Sequence, residues 1–267
     1  MAAKYLSLII IILGLQITSL WSEALIVDQD SCVYEGGTYD KIVVDGRRYV
    51  TLRNITVFNA AKNEDYAGIL LKSSRDIVVD NCEVNGNAST CGAIKLDGSV
   101  RCVIRSCKLH NCNDDGIRAY MSNILTVKDC EIYHLLGCGT DNGCSSCNNG
   151  HSDGFQIIGC WKVYIYRNLV YDVASTSAFH IHGGSRWATI TNNLFYTPAV
   201  GLVCYLYETE DVKFYNNVVW GRDQGGYGGL SLGRELVKLK MYNNILLNIN
   251  TCLLYTSDAA DELDGVD

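Results

Sequence analysis

The stretch Asp153-Gly-Phe-Gln-Ile-Ile-Gly-Cys-Trp-Lys-Val-Tyr-Ile-Tyr-Arg-Asn-Leu-Val-Tyr-Asp172 decides the fold. Phe155 and Ile157 alternate with Gln156 and Ile158, the period of a strand with one buried face. A small turn follows, a second strand runs to Tyr166, and Asn168 bends the chain into a third. The pattern recurs from about residue 50, with bends aligned at Asn54, Cys82, Cys107, Cys130, Asn168, Asn193, Asn217 and Asn244. The steps are 28, 25, 23, 38, 25, 24 and 27 residues, the 38 being one ordinary step plus an insertion of about 14. A three-strand unit of this length cannot bury its apolar face alone, whereas a stack of such units can. The expected architecture is all-β, a parallel β-helix of about eight coils.

Working outward, the two ends differ from this repeat. Lys4, the apolar run Leu6 to Leu15 and Ser22-Glu-Ala24 have the order of a secretory signal peptide, residues 1–24. The alternative is a retained anchor, for which the apolar run is short. Residues 252–267 abandon the strand period. Cys252-Leu-Leu-Tyr-Thr-Ser-Asp-Ala-Ala-Asp-Glu262 resembles the in-frame translation of a sequencing adapter, so the helix is expected to be truncated and its natural part to span 25–251. Five carboxylates sit in that tail. Removing them from a formal net charge of −7 leaves about −2, a balance that argues against nucleic-acid and membrane-surface partners. No linker divides the chain, which is expected to act as an exported monomer, secreted, periplasmic or on the cell surface.

Asparagine at successive bends tolerates the left-handed conformation, and its amide can bond to the coil above. Asn168, Asn193, Asn217 and Asn244 are therefore expected to form a ladder. Cys82, Cys107 and Cys130 replace it in the middle coils, either as disulfide partners or as small buried groups. The sequon at Asn54 would be inaccessible in such a ladder, which leaves Asn87-Ala-Ser89 as the better glycan acceptor. Within the insertion 137–151, Cys138, Cys144, Cys147 and His151 have zinc-like spacing, but an exported context favours disulfides.

Strand parity selects the candidate site. If Ile94, Ile117, Phe155, Phe179 and Ile181 point inward, then Lys95, Arg118, Gln156 and His180 form one outward row. Asp97, Tyr120 and His182 lie beside it. Asp115 and Asp153, each followed by glycine, precede the same sheet in consecutive coils, with Asp114 and His151 nearby. As a bland reading, Asp-Gly is ordinary turn chemistry and Lys95 and Arg118 are solvated charges.

Gly36-Gly-Thr-Tyr39, the repeated Val-x-Ile-x-Asn-Asn-x-Ile bends and His151-Ser-Asp-Gly-Phe-Gln156 carry a resemblance over about residues 33–250. The chain resembles the right-handed parallel β-helix proteins of the pectin-lyase-like superfamily. That likeness implies a right-handed coil and a polysaccharide partner, and it spans lyases, hydrolases, epimerases and non-catalytic domains. Neither the Gly-His-Gly signature of polygalacturonases nor the Asp-Pro-His of mannuronan epimerases occurs. The residues suit β-elimination on an acidic, uronate glycan. Arg118, or calcium on Asp114, Asp115 and Asp153, would neutralise the carboxylate. Lys95 or His180 would take the C5 proton and Tyr120 or His182 protonate the leaving oxygen, with Gln156, Asp97 and His151 binding substrate. The alternatives are hydrolysis by Asp115 and Asp153 and glycan binding or adhesion without turnover.

Overall fold

The computed structural model describes residues 23–58, 67–87, 92–137, 151–197, 202–221, 229–233, 235–248 and 253–254. They form an all-β solenoid in which every paired strand is parallel. Three sheets run its length, and the third has nine strands, one per coil. Each coil contributes one strand to each sheet, as in Asp153–Ile158, Trp161–Tyr166 and Leu169–Val173. Among the described residues there is no helix, and none is long and apolar enough to cross a membrane.

The core follows from alternation. Ile69, Ile94, Ile117, Phe155 and Phe179 form one inward row, paired strand to strand and at most 1% exposed. Phe155 packs on Phe179, and Phe195 from the third sheet and Phe214 from the second fill the interior beside them, with successive ring centroids 5.7 to 6.4 Å apart. Like neighbours stack on like because a parallel ladder repeats each position once per coil.

The bend between the second and third sheets is two residues long in every coil, from Gly36–Gly37 to Asn243–Asn244. Its first residue is left-handed: Asn54, Asn81, Ser106, Asp129, Arg167, Asn192, Asn216 and Asn243 all have φ near +55°. The second residue carries the ladder. The Asn168 side-chain amide donates to Val127 O at 3.1 Å and to Asn193 Oδ1 at 3.0 Å, while Asn193 Oδ1 also accepts the Asn168 backbone N–H at 3.0 Å. Asn193 repeats this toward Asn217, and Asn217 toward Asn244.

Two expectations change here. Asn54 is not a rung. It occupies the left-handed row, one residue before Ile55, and is exposed. The sequon at Asn54 is therefore accessible, contrary to the expectation that a buried ladder would hide it. The ladder asparagines themselves are not left-handed, because that strain falls on the residue before them. The aligned bends also omit the first coil, Leu25 to Tyr39, whose bend is glycine.

The middle coils keep the geometry with sulfur. Cys82 Sγ donates to Leu52 O at 3.5 Å and Cys107 Sγ to Val79 O at 3.7 Å, the carbonyls an asparagine would reach. Every cysteine among the described residues is a free thiol. Hydrogen bonding between neighbouring thiols, then burial, raises the Cys82 pKa out of reach of neutral pH. Burial pushes Cys102 up to about 12. Cys138, Cys144 and Cys147 of the insertion lie outside the described residues, as do the leader to residue 22 and the tail from residue 255. Leu253–Leu254 add a short strand beside Ser231–Leu232, so the start of the tail continues the first sheet.

A second ladder, which the sequence reading missed, stands at the bend between the first and second sheets. Ser74 N donates to Ser99 Oγ at 3.2 Å and Ser99 N to Ser122 Oγ at 3.1 Å. Further on, Cys160 N donates to Ser185 Oγ at 3.1 Å, and Cys160 Sγ donates to Ala119 O. A serine at or just before the start of a second-sheet strand, as at Ser99, Ser122 and Ser185, was the available signal.

Candidate functional site

Lys95, Arg118, Gln156 and His180 occupy consecutive strands of the first sheet in one register, and Tyr205 follows them. Asp97, Tyr120 and Ile158 lead to His182 in the row two residues on. Parity thus places these side chains on the outer face, but that face is not uniformly open. Tyr120 is 45% exposed, whereas Gln156 and His180 are only 8% and 9% exposed. The cause is aromatic cover from later coils. His180 stacks on His182 with centroids 4.5 Å apart, and Tyr205 and Tyr207 close over both at 5.0 Å.

Asp115 and Asp153 stand one above the other at the corner entering this sheet, with Asp153 N–H donating to Asp115 Oδ1 at 2.9 Å. They are 1% and 0% exposed, so the carboxylates at the entering edge are buried. Their glycines explain the corner, and not as turn residues, since neither has a positive φ. A Cβ on Gly154 would meet Ala178 O and Val170 Cγ1 at 2.4 Å, and one on Gly116 would meet Gly154 O at 2.7 Å. Only glycine lets successive coils close this tightly, which drives the two carboxylates together.

Asp153 is the hub. Ser177 Oγ donates to its Oδ1. Its Oδ2 lies 3.2 Å from His180 Nδ1 and 3.4 Å from His151 Nε2, while His151 Nδ1 is 3.7 Å from Asp115 Oδ1. The charges respond to this crowding. The Asp115 contact, opposed by burial and aided by Asp153, raises His151 to about 9. Burial, then Asp115, lifts Asp114 to about 7, and burial raises Asp115 as well. Burial, then His180, pushes His182 down to about 4, so at neutral pH it is a neutral imidazole and not an imidazolium acid.

Buried polar atoms collect at this patch. Asp115 Oδ2, Arg118 Nε, Gln156 Oε1, His180 Nε2 and His182 Nε2 have no hydrogen-bond partner among the described residues. Buried polar atoms are normally paired, so such a concentration marks a place prepared for something else. As for calcium, that ion takes six to eight oxygen ligands. Here nitrogens converge on Asp153, and Asp115 Oδ1 is already engaged by a backbone N–H, so the donor set suits calcium poorly.

Fold and patch together define a right-handed parallel β-helix with a half-covered polar site on one sheet. Residues 27–151 match the family model for a right handed beta helix region. The solenoid is similar to PfbA, a surface adhesin of Streptococcus pneumoniae, at 12% identity and a TM-score of 0.70, over 89% of this chain and 64% of that one. It is similar to an alginate lyase from Paenibacillus at 14% identity and 0.54, over 90% and 81%. The periplasmic alginate epimerase AlgG gives 10% and 0.56, over 77% and 62%. The chain thus spans less than two thirds of the adhesin's length, and likeness at such identities establishes the fold alone. No curated protein matches the sequence.

Proposed function

We propose that this is an exported carbohydrate-active protein that cleaves an acidic polysaccharide by β-elimination at the outer face of the first sheet. The carrying observation is the contact between His180 and buried Asp153. Asp153 accepts the Nδ1–H, which leaves the lone pair on Nε2, the unpartnered nitrogen. A carboxylate behind an imidazole fixes tautomer and orientation in this way for a general base. Arg118 and Gln156, the next two residues along the row, supply a cation and an amide for the uronate carboxylate. His180 takes the C5 proton, the C4–C5 double bond forms and the C4–O bond breaks. Tyr205, whose ring centroid is 5.0 Å from that of His180, protonates the departing oxygen. His182 is reassigned from acid to neutral neighbour. Lys95, Asp97 and Tyr120 line the substrate's path, while the Asp115 and Asp153 carboxylates stand behind the row, engaged by the Asp153 N–H, Ser177 and His180, and not on its outer face as a hydrolase would require.

The test is ultraviolet absorbance of unsaturated products from alginate and polygalacturonate. His180→Gln should lower turnover by about 10²- to 10⁴-fold, and Arg118→Met by about 10²- to 10³-fold. An unchanged rate in both variants would sink the reading. A second reading, binding without turnover, draws on the exposed Trp161 and Trp187, whose rings meet edge to face at 6.3 Å on the second sheet. Retention on an immobilised uronate glycan without product would favour it.

A further inference from the structure

We propose that His151, Asp153 and His180 bind one divalent transition-metal cation of the zinc class, and that loading it silences His180 as a base. The binding half stands by itself; the silencing half rests on the lyase reading.

The donor atoms already stand where a coordination sphere would put them. One ligand atom from each of His151, Asp153 and His180 lies within 4.8 Å of the others, and Asp153 Oδ2 is 3.4 Å from His151 Nε2 and 3.2 Å from His180 Nδ1. Zinc bonds of about 2.0–2.2 Å in a tetrahedron space neighbouring ligands by about 3.4 Å. Two imidazoles and one carboxylate leave a fourth position for water, and imidazole selects zinc, copper, nickel or iron over calcium. The surroundings are also those of a metal site. Metal-bound histidines commonly give their other nitrogen to a carboxylate, and His151 Nδ1 faces Asp115 Oδ1 at 3.7 Å. Ser177 anchors the far oxygen of Asp153. Asp115 Oδ2, in a residue 1% exposed, has no partner among the described residues and lies beside the site. The His151 side chain is 34% exposed, which gives an ion a route in from solvent.

Binding has a chemical consequence. A neutral imidazole carries one N–H, so a cation on His180 Nδ1 moves the proton to Nε2. The lone pair that would accept the C5 proton is then gone.

The test is calorimetric titration of the chelator-treated full chain with zinc chloride and, separately, calcium chloride. One equivalent of zinc should bind and raise the melting temperature, with calcium unable to displace it. Because Asp153→Ala removes a buried hub and endangers folding, the diagnostic variant is His151→Gln, expected to weaken zinc binding at least about tenfold. Asp115→Asn should weaken it by about 10- to 100-fold. His134→Gln, which alters an exposed pair with Asp172, should leave it intact. Equal zinc affinity in His151→Gln, or calcium competing on par, would overturn the site. Saturating zinc should suppress product formation from uronate polymers. Full activity with zinc bound would overturn the silencing, whereas absent turnover without zinc would overturn the lyase reading and leave the binding result standing.

Discussion

The asparagine bend and the Asp153 patch are both buried polar corners of one solenoid, yet they end in opposite states. At the bend, Asn193 gives its amide to Ile165 O and Asn217 Oδ1, and takes both N–H groups of Asn168 on its own Oδ1. At the patch, unpaired nitrogens and oxygens of His180, His182, Gln156, Arg118 and Asp115 are left over among the described residues. The same repeat produces both. A ladder closes on itself when each coil offers identical donors and acceptors. The patch cannot close, because consecutive coils offer lysine, arginine, glutamine and histidine. Identical rungs stabilise the coil; unlike rungs create a surface that needs a ligand.

The comparison breaks most sharply at Asn193. Asn193→Leu removes four hydrogen bonds and should cost at least about 3 kcal/mol in urea denaturation. A cost below 1 kcal/mol, on the order of a surface change, would show the ladder to be ornamental. His151 should give a smaller effect that depends on pH. Its folded pKa of about 9 lies above the ordinary 6.5, so its contribution is complete below about pH 6.5 and is lost as pH rises through 9. After discounting for solvent screening, the stability difference between the parent and His151→Gln should be about 1 kcal/mol in acid and vanish in alkali. A difference that grows with pH would contradict the assignment. His182, depressed to about 4, acts in the other direction below pH 6.5, which is why the difference and not the parent curve is read. The mildest change is Cys130→Asn. It extends the ladder by one rung above Asn168, whose Oδ1 already accepts the Cys130 N–H. With its amide taken up by the same ladder, its effect should stay under about 1 kcal/mol, as checked by the same denaturation.

Parity alone made much of this legible. Phe155 and Phe179 inward implied Gln156 and His180 outward, and register then aligned Arg118 and Lys95 with them. What alternation cannot express is what covers a face. Tyr205 and Tyr207 come from one coil later and reduce His180 to 9% exposure, although nothing near residue 180 signals it. Asn54 misled because two adjacent rows both favour asparagine for different reasons, one for φ near +55° and one for its amide. The Asp-Gly pairs looked like turns, but Gly116 and Gly154 serve interatomic space, which a residue's neighbours in sequence do not reveal.

The invariant two-residue bend bears on how such a chain can change over time. Every coil crosses from the second sheet to the third in two residues, and most cross from the first to the second in two. The return to the first sheet ranges from two residues, between Tyr39 and Ile42, to seventeen, between Leu135 and Asp153. Insertions and deletions are thus absorbed at one corner, where they leave every stacked row in register. That corner borders the face carrying His180 and Arg118. A solenoid of this design can acquire new loops beside its site while its scaffold stays the same, so loop grafts at this corner are the natural route to altered specificity.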